Sequence, residues 1–112
     1  MTRSRAALLR HRQDGSVHLD LILGDGASCA TLTLTRDHGR LRACWRPAHR
    51  RRYLDYRGPL PASRGSVSHL WGGTAFWWRV GADARVRLAG LGTLRIHGQR
   101  VVHRPRWLRL GT

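Results

Sequence analysis

Hydrophobic and polar positions alternate with a period of two along most of the chain. Val17, Leu19, Leu21 and Leu23 alternate with His18, Asp20 and Ile22, and threonine alternates with leucine from Thr31 to Thr35. Leu41, Ala43 and Trp45 continue the pattern, which returns in segments 67–71, 74–80, 85–89, 93–97, 100–103 and 107–110. In an extended chain this period sends successive side chains to opposite faces, so each segment reads as a half-buried strand. Turn signals separate them: Asp14-Gly15, Gly24-Asp25-Gly26, Asp37-His38-Gly39, Gly72-Gly73, Gly81-Ala82-Asp83 and Gly98-Gln99. Eight or so short strands at this spacing predict an all-β fold, an antiparallel barrel or sandwich. Helix is limited to a turn or two, near 4–12 or 50–54. Segment 47–61 is the longest irregular stretch, and long connections in small domains tend to carry function.

Composition narrows the picture. With 112 residues, 41% of them hydrophobic, the chain forms one domain with a modest core. We divide it into a short basic N-terminal segment, 1–10, and a domain over 11–112. The formal charge is +15, from 21 arginines, no lysine and six aspartates. A domain this basic attracts polyanions, and phosphate contacts would dominate its affinity. No apolar run approaches the ~20 residues of a membrane-spanning helix, and no long amphipathic helix is available to lie on a membrane. The first residues lack a signal-peptide core, so the expected location is cytoplasmic. There Cys29 and Cys44 are expected to be free, partly buried thiols.

Two groups of residues carry candidate chemistry. His18 and Asp20, two apart in a strand, share a face opposite Val17, Leu19 and Leu21. An imidazole and a carboxylate so placed form half of a divalent-cation site, suited to Mn²⁺ or Zn²⁺. His11 lies across the Asp14-Gly15 turn and can fold back as a third ligand. By spacing alone a merely polar strand face is the commoner outcome. The second group is segment 46–59, which holds five arginines, His49, Tyr53 and Tyr56. Arginine forks grip phosphate oxygens, tyrosine stacks on bases, and a histidine can donate a proton near neutrality. A solvated basic loop has the same composition.

The order of these residues is similar to a known family. His49-x-x-x-Tyr53-Leu54-Asp55-Tyr56-x-Gly58-Pro59-Leu60-Pro61, then Arg64-Gly65-Ser66-Val67 and Trp71-x-Gly73-Thr74, resembles the 3′-phosphoesterase domain of bacterial DNA ligase D, above all its short stand-alone members. The upstream signature has counterparts in His11 and in His18-Leu19-Asp20-Leu21. The resemblance spans roughly residue 11 to the C-terminal end. It implies a small curved antiparallel β-barrel in which His11, His18 and Asp20 bind Mn²⁺, with Zn²⁺ as the alternative ion. It also implies that His49 contacts the phosphate or supplies a proton, with Tyr53 supporting it. Arg46, Arg50, Arg51, Arg52, Arg57 and Arg64 are then the phosphate-binding candidates. The implied reaction removes 3′-phosphates or 3′-terminal ribonucleosides from DNA ends. The implied partners are DNA 3′ ends, RNA-containing ones included, and a ligase or another repair protein. The chain departs from the family pattern in having six rather than five residues between the histidines, Ile22 for an arginine, Ala48 for an acid and Arg57 for a glutamate.

Two functions follow from different classes: a Mn²⁺-dependent phosphoesterase, and a non-catalytic basic module that binds nucleic acid. Other schemes lack their residues. There is no lysine for an adenylating ligase, no nucleophile elbow around the serines and no Cys-x-x-Cys for a zinc ribbon. His38, His69, His97 and His103 read as surface or structural residues. Trp45, Trp71 and Trp78 are expected in the core, and of Trp77 and Trp78 at least one is exposed.

Overall fold

A computed structural model describes residues 1–24, 28–50, 58–59, 65–103, 105 and 108. These contain strands and no helix: β1 (Thr2–Gln13), β2 (Ser16–Leu23), β3 (Ser28–Asp37), β4 (Arg40–Arg50), β5 (Gly58–Pro59), β6 (Ser66–Val80), β7 (Asp83–Leu88), β8 (Gly92–His97) and β9 (Arg100–His103). All pair antiparallel in the order β1-β2-β3-β4-β9-β8-β7-β6-β5. β1 also pairs with β6, so eight strands close into a ring with β5 outside it. The ring is thinnest at the β4–β9 seam, where Arg42 faces Arg100 and Ala43 N–H donates to the Gln99 carbonyl at 2.9 Å.

Alternation explains the packing. Leu19, Leu21 and Leu23 of β2, Leu32 and Leu34 of β3, Val86 and Leu88 of β7, and Leu94 and Ile96 of β8 all turn inward and are buried. Together with Leu8, Ala75 and Leu108 they form one core inside the ring. Burying a leucine this fully is worth about 1.5–3 kcal/mol, so a one-residue slip of any of these strands would expose its whole inward set.

The strand at the N-terminus differs from expectation in two ways. Residues 4–12 are strand rather than helix, and the boundary at residue 10 falls inside β1. The continuous Ala6-Ala7-Leu8-Leu9 run explains both. Ala6 and Leu8 enter the core, while Ala7 and Leu9 join a second buried cluster with Ile22, Cys29 and Val67 on the outer side of the sheet. A strand buried on both faces loses its alternation, and a short apolar run is then ambiguous with helix.

Gly72-Gly73 also differs: it lies within β6, not at a turn. The β1–β6 register shifts at Leu8/Leu9, leaving Leu70 as an extra residue beside the pair Leu9–His69. A Cβ on Gly72 would stand 2.9 Å from the His69 ring, and one on Gly73 would stand 2.7 Å from the Trp71 ring. The glycines leave room for those rings to lie along the strand. A turn that the sequence did not mark joins β7 to β8 at 89–91. The strand expected at 107–110 lies outside the described residues, except Leu108, which is buried and not in a strand. No helix among the described residues is long and apolar enough to cross a membrane.

Candidate metal centre

The hairpin between β1 and β2 builds the site. Asp14 and Gly15 take positive φ values of 49° and 78°, the conformation of a two-residue hairpin turn. Gln13 then faces Ser16 and His11 faces His18. Six intervening residues are what a two-residue turn with two flanking pairs requires. The six-residue spacing therefore sets the histidines directly across from each other.

Their rings meet edge to face, with centroids 4.6 Å apart. Nε2 of His18 lies 3.1 Å from Nδ1 of His11 and 3.2 Å from Oδ2 of Asp20. Asp20, two residues along β2, sits between Leu9 of β1 and Thr33 of β3. The buried Thr33 hydroxyl donates to Oδ1 of Asp20 at 2.7 Å. That bond fixes the carboxylate and leaves Oδ2 turned to the histidines. The side chains of His18 and Asp20 are 28% and 16% exposed, so the cluster is half-buried but open to solution. Val67 lies opposite His11 and Leu9 opposite Asp20, placing the second apolar cluster beside the polar one.

One ligand atom from each of His11, His18 and Asp20 lies within 4.8 Å of the others. Nitrogen and oxygen donors about 2.0–2.2 Å from a divalent ion stand about 3.0–3.5 Å apart when adjacent in its coordination shell. The His18–His11 and His18–Asp20 separations fall in that range. The proton chemistry agrees. Nε2 carries either one N–H or one lone pair, yet it faces a nitrogen and a carboxylate oxygen together. A cation among the three would accept all three lone pairs, and imidazole with carboxylate suits Mn²⁺ or Zn²⁺.

The downstream candidates are placed less fully. His49 is opposite Cys29 in the β3–β4 register, while its side chain lies outside the described residues. Arg46 is an exposed residue of β4 opposite Thr31. Arg50 belongs to β4, but its side chain, like all of Arg51, Arg52, Tyr53, Arg57 and Arg64, lies outside the described residues. Sequence reasoning missed Thr33. Its signal was the Thr31–Thr35 alternation, which puts hydroxyls on the strand next to the His–Asp face.

The remaining side chains have local roles. Neither Cys29 nor Cys44 is in a disulfide, and buried Cys29 donates to the Gly24 carbonyl at 3.2 Å. Trp77 turns inward, its indole N–H donating to Ser4 Oγ at 3.0 Å, and Trp78 is the exposed member of the pair. That corrects the expectation of Trp78 in the core. His38 contacts Asp37 at 2.7 Å and His97 contacts Asp83 at 3.4 Å, both near the surface. An open groove of about 980 Å³ follows the β4–β9 seam and is not lined by the His–His–Asp cluster. Its Arg42 is already committed to Asp37 and Gln99.

Searches of protein-family models, of characterised proteins and of solved structures find no match to this chain.

Proposed function

We propose that the chain is a divalent-metal-dependent phosphoesterase acting on nucleic-acid 3′ ends, related to the ligase D phosphoesterases. The observation that carries this reading is the convergence of His11, His18 and Asp20 across a hairpin, with donor atoms at ligand spacing. Mn²⁺, or Zn²⁺ in its place, would be held by these three side chains. Such an ion would polarise a phosphoryl oxygen or acidify a bound water. Thr33 holds the Asp20 carboxylate in its ligating pose, as outer partners of metal ligands do. The excess of arginine draws the polyanion to the surface. His49, on β4, is the candidate for a phosphate contact or proton donor, and Tyr53 for its support.

The test is release of inorganic phosphate from a 3′-phosphorylated oligonucleotide with Mn²⁺ or Zn²⁺ present. Wild-type protein releases phosphate, and His18→Ala and Asp20→Ala do not. Equal release by all three proteins, or none by the wild type, removes the enzyme.

One observation favours a second reading, the non-catalytic nucleic-acid-binding module. The cluster can also stand without an ion, with the single Nε2–H of His18 shared between Oδ2 of Asp20 and Nδ1 of His11 while Thr33 donates to Asp20. In that case binding to nucleic acid is strongly salt-dependent and survives a chelator.

A further inference from the structure

We infer that the outer face of β1, β6, β7 and β8 is a docking surface for single-stranded nucleic acid, with Trp78 as the stacking ring and Arg85 and Arg95 as a phosphate clamp. The inference deepens the reading above, on which it rests for the nature of the polymer, but it needs no metal.

The registers bring these residues into rows across the sheet. Trp78 faces Arg85, and Arg85 faces Arg95. In the neighbouring row Arg3 faces Phe76, and Phe76 faces Arg87. The alternate residues of β7 and β8, Val86, Leu88, Leu94 and Ile96, fill the core, so the arginines all stand on the solvent side. Arg3 and Arg87 lie over the Phe76 ring, 5.8 and 4.3 Å from its centroid, and their stacking covers it. Trp78 is 40% exposed, a large flat ring open to solution.

Arg85 directly opposite Arg95 is a like-charge cross-strand pair, an arrangement that costs stability. Neither forms an ion pair with a carboxylate among the described residues. A phosphate between the two guanidinium groups would turn repulsion into two charge-assisted contacts. A ring beside paired phosphate-binding groups is the recurring arrangement for unpaired bases, because every base has a π-face. A duplex keeps its base faces stacked on each other, and an anionic surface without rings leaves Trp78 unused. β1 links this face to the metal centre. Arg3, Arg5, Ala7, Leu9 and His11 are its outward positions, and the six residue steps from Arg5 to His11 span about 20 Å.

The test is fluorescence anisotropy of a labelled oligothymidine in chelator, compared with a matched duplex and with heparin. The wild type binds the single strand more tightly than the duplex. Trp78→Ala weakens oligothymidine binding about tenfold or more, leaves heparin binding unchanged, and is largely rescued by Trp78→Phe. The double variant Arg85→Gln/Arg95→Gln, which removes one clamped phosphate, lowers the salt slope of log K by about 0.7. Duplex bound as tightly as single strand, or Trp78→Ala without effect, overturns the proposal. Equal weakening for heparin and oligothymidine overturns it too. Release of phosphate from a 3′-phosphorylated dinucleotide, too short to span both sites, separates the two claims. The binding pattern without turnover by the wild type keeps the docking face and removes the enzyme. Turnover with no such pattern does the reverse.

Discussion

Two stretches of the same outer surface, joined by β1, are built on opposite principles. Around His11, His18 and Asp20 the side chains are short, held to one another, and set beside buried Leu9, Ile22 and Val67. Around Trp78, Arg85 and Arg95 they are long and exposed, and the two arginines face each other without a counter-charge among the described residues. The first arrangement fixes positions to a fraction of an ångström, as a coordination site needs. The second offers charge and a flat ring to a flexible polymer. A single strand can serve both because its outward residues change from arginine to alanine, leucine and histidine along its length.

The largest difference should appear in stability. Leu9→Ala removes a side chain that is 3% exposed and costs about 2–5 kcal/mol, read from chemical denaturation. Trp78→Ala, on the open side, shifts the midpoint by far less. Equal losses would mean that the two faces are packed alike.

Next in size is Thr33→Val, which keeps the β-branched shape and removes the donor to Asp20. Metal affinity falls about 10- to 100-fold in a calorimetric titration, while oligothymidine binding stays as it was. Unchanged metal affinity would show that Thr33 does not position the carboxylate.

Arg85→Gln should act in the other direction. Relief of the cross-strand repulsion raises the stability of the free protein by about 0.2–1 kcal/mol, and added salt erases the gain. A loss at low salt would mean that Arg85 makes a stabilising contact.

The smallest effect belongs to Asp37, at the hairpin between β3 and β4. Hydrogen bonds from Arg42 and then His38 hold its carboxyl below the usual range. The folded state therefore keeps the charge to lower pH than the unfolded chain. The resulting stability is full above the ordinary carboxylate range and is lost as pH falls through the lowered value. Asp37→Asn should flatten the acid side of the thermal midpoint against pH only slightly, because the pair is exposed. A large flattening would point to burial that the structure does not have.

The sequence carried much of this fold. Asp14-Gly15 and Asp37-His38-Gly39 mark two hairpins because glycine follows a residue that tolerates positive φ, and both turns form as read. Period two in β2, β3, β7 and β8 was legible because one face of each meets the core. It failed over Ala6–Leu9 of β1, where both faces are buried. It failed again at Gly72-Gly73, where two glycines make room for neighbouring rings rather than turning the chain. Of Trp77 and Trp78 the pattern required opposite faces and could not rank them. Only the β6–β7 register, which pairs Trp77 with buried Val86, does so.

The site was legible in part. His18 and Asp20 on one face followed from spacing, whereas the opposition of His11 and His18 depended on a two-residue turn, which spacing left open. Thr33 belongs to a strand thirteen residues away in sequence, a partner that only the β2–β3 register could supply. The Arg85–Arg95 pair was invisible for the same reason.

Everything proposed for catalysis depends on the divalent-cation site of His11, His18 and Asp20. Titration of Mn²⁺ into the protein, with free ion followed by electron paramagnetic resonance, tests it most directly. One bound ion per chain is expected for the wild type and none for His18→Ala or Asp20→Ala. No binding by the wild type, or the same stoichiometry and affinity in either variant, would contradict it.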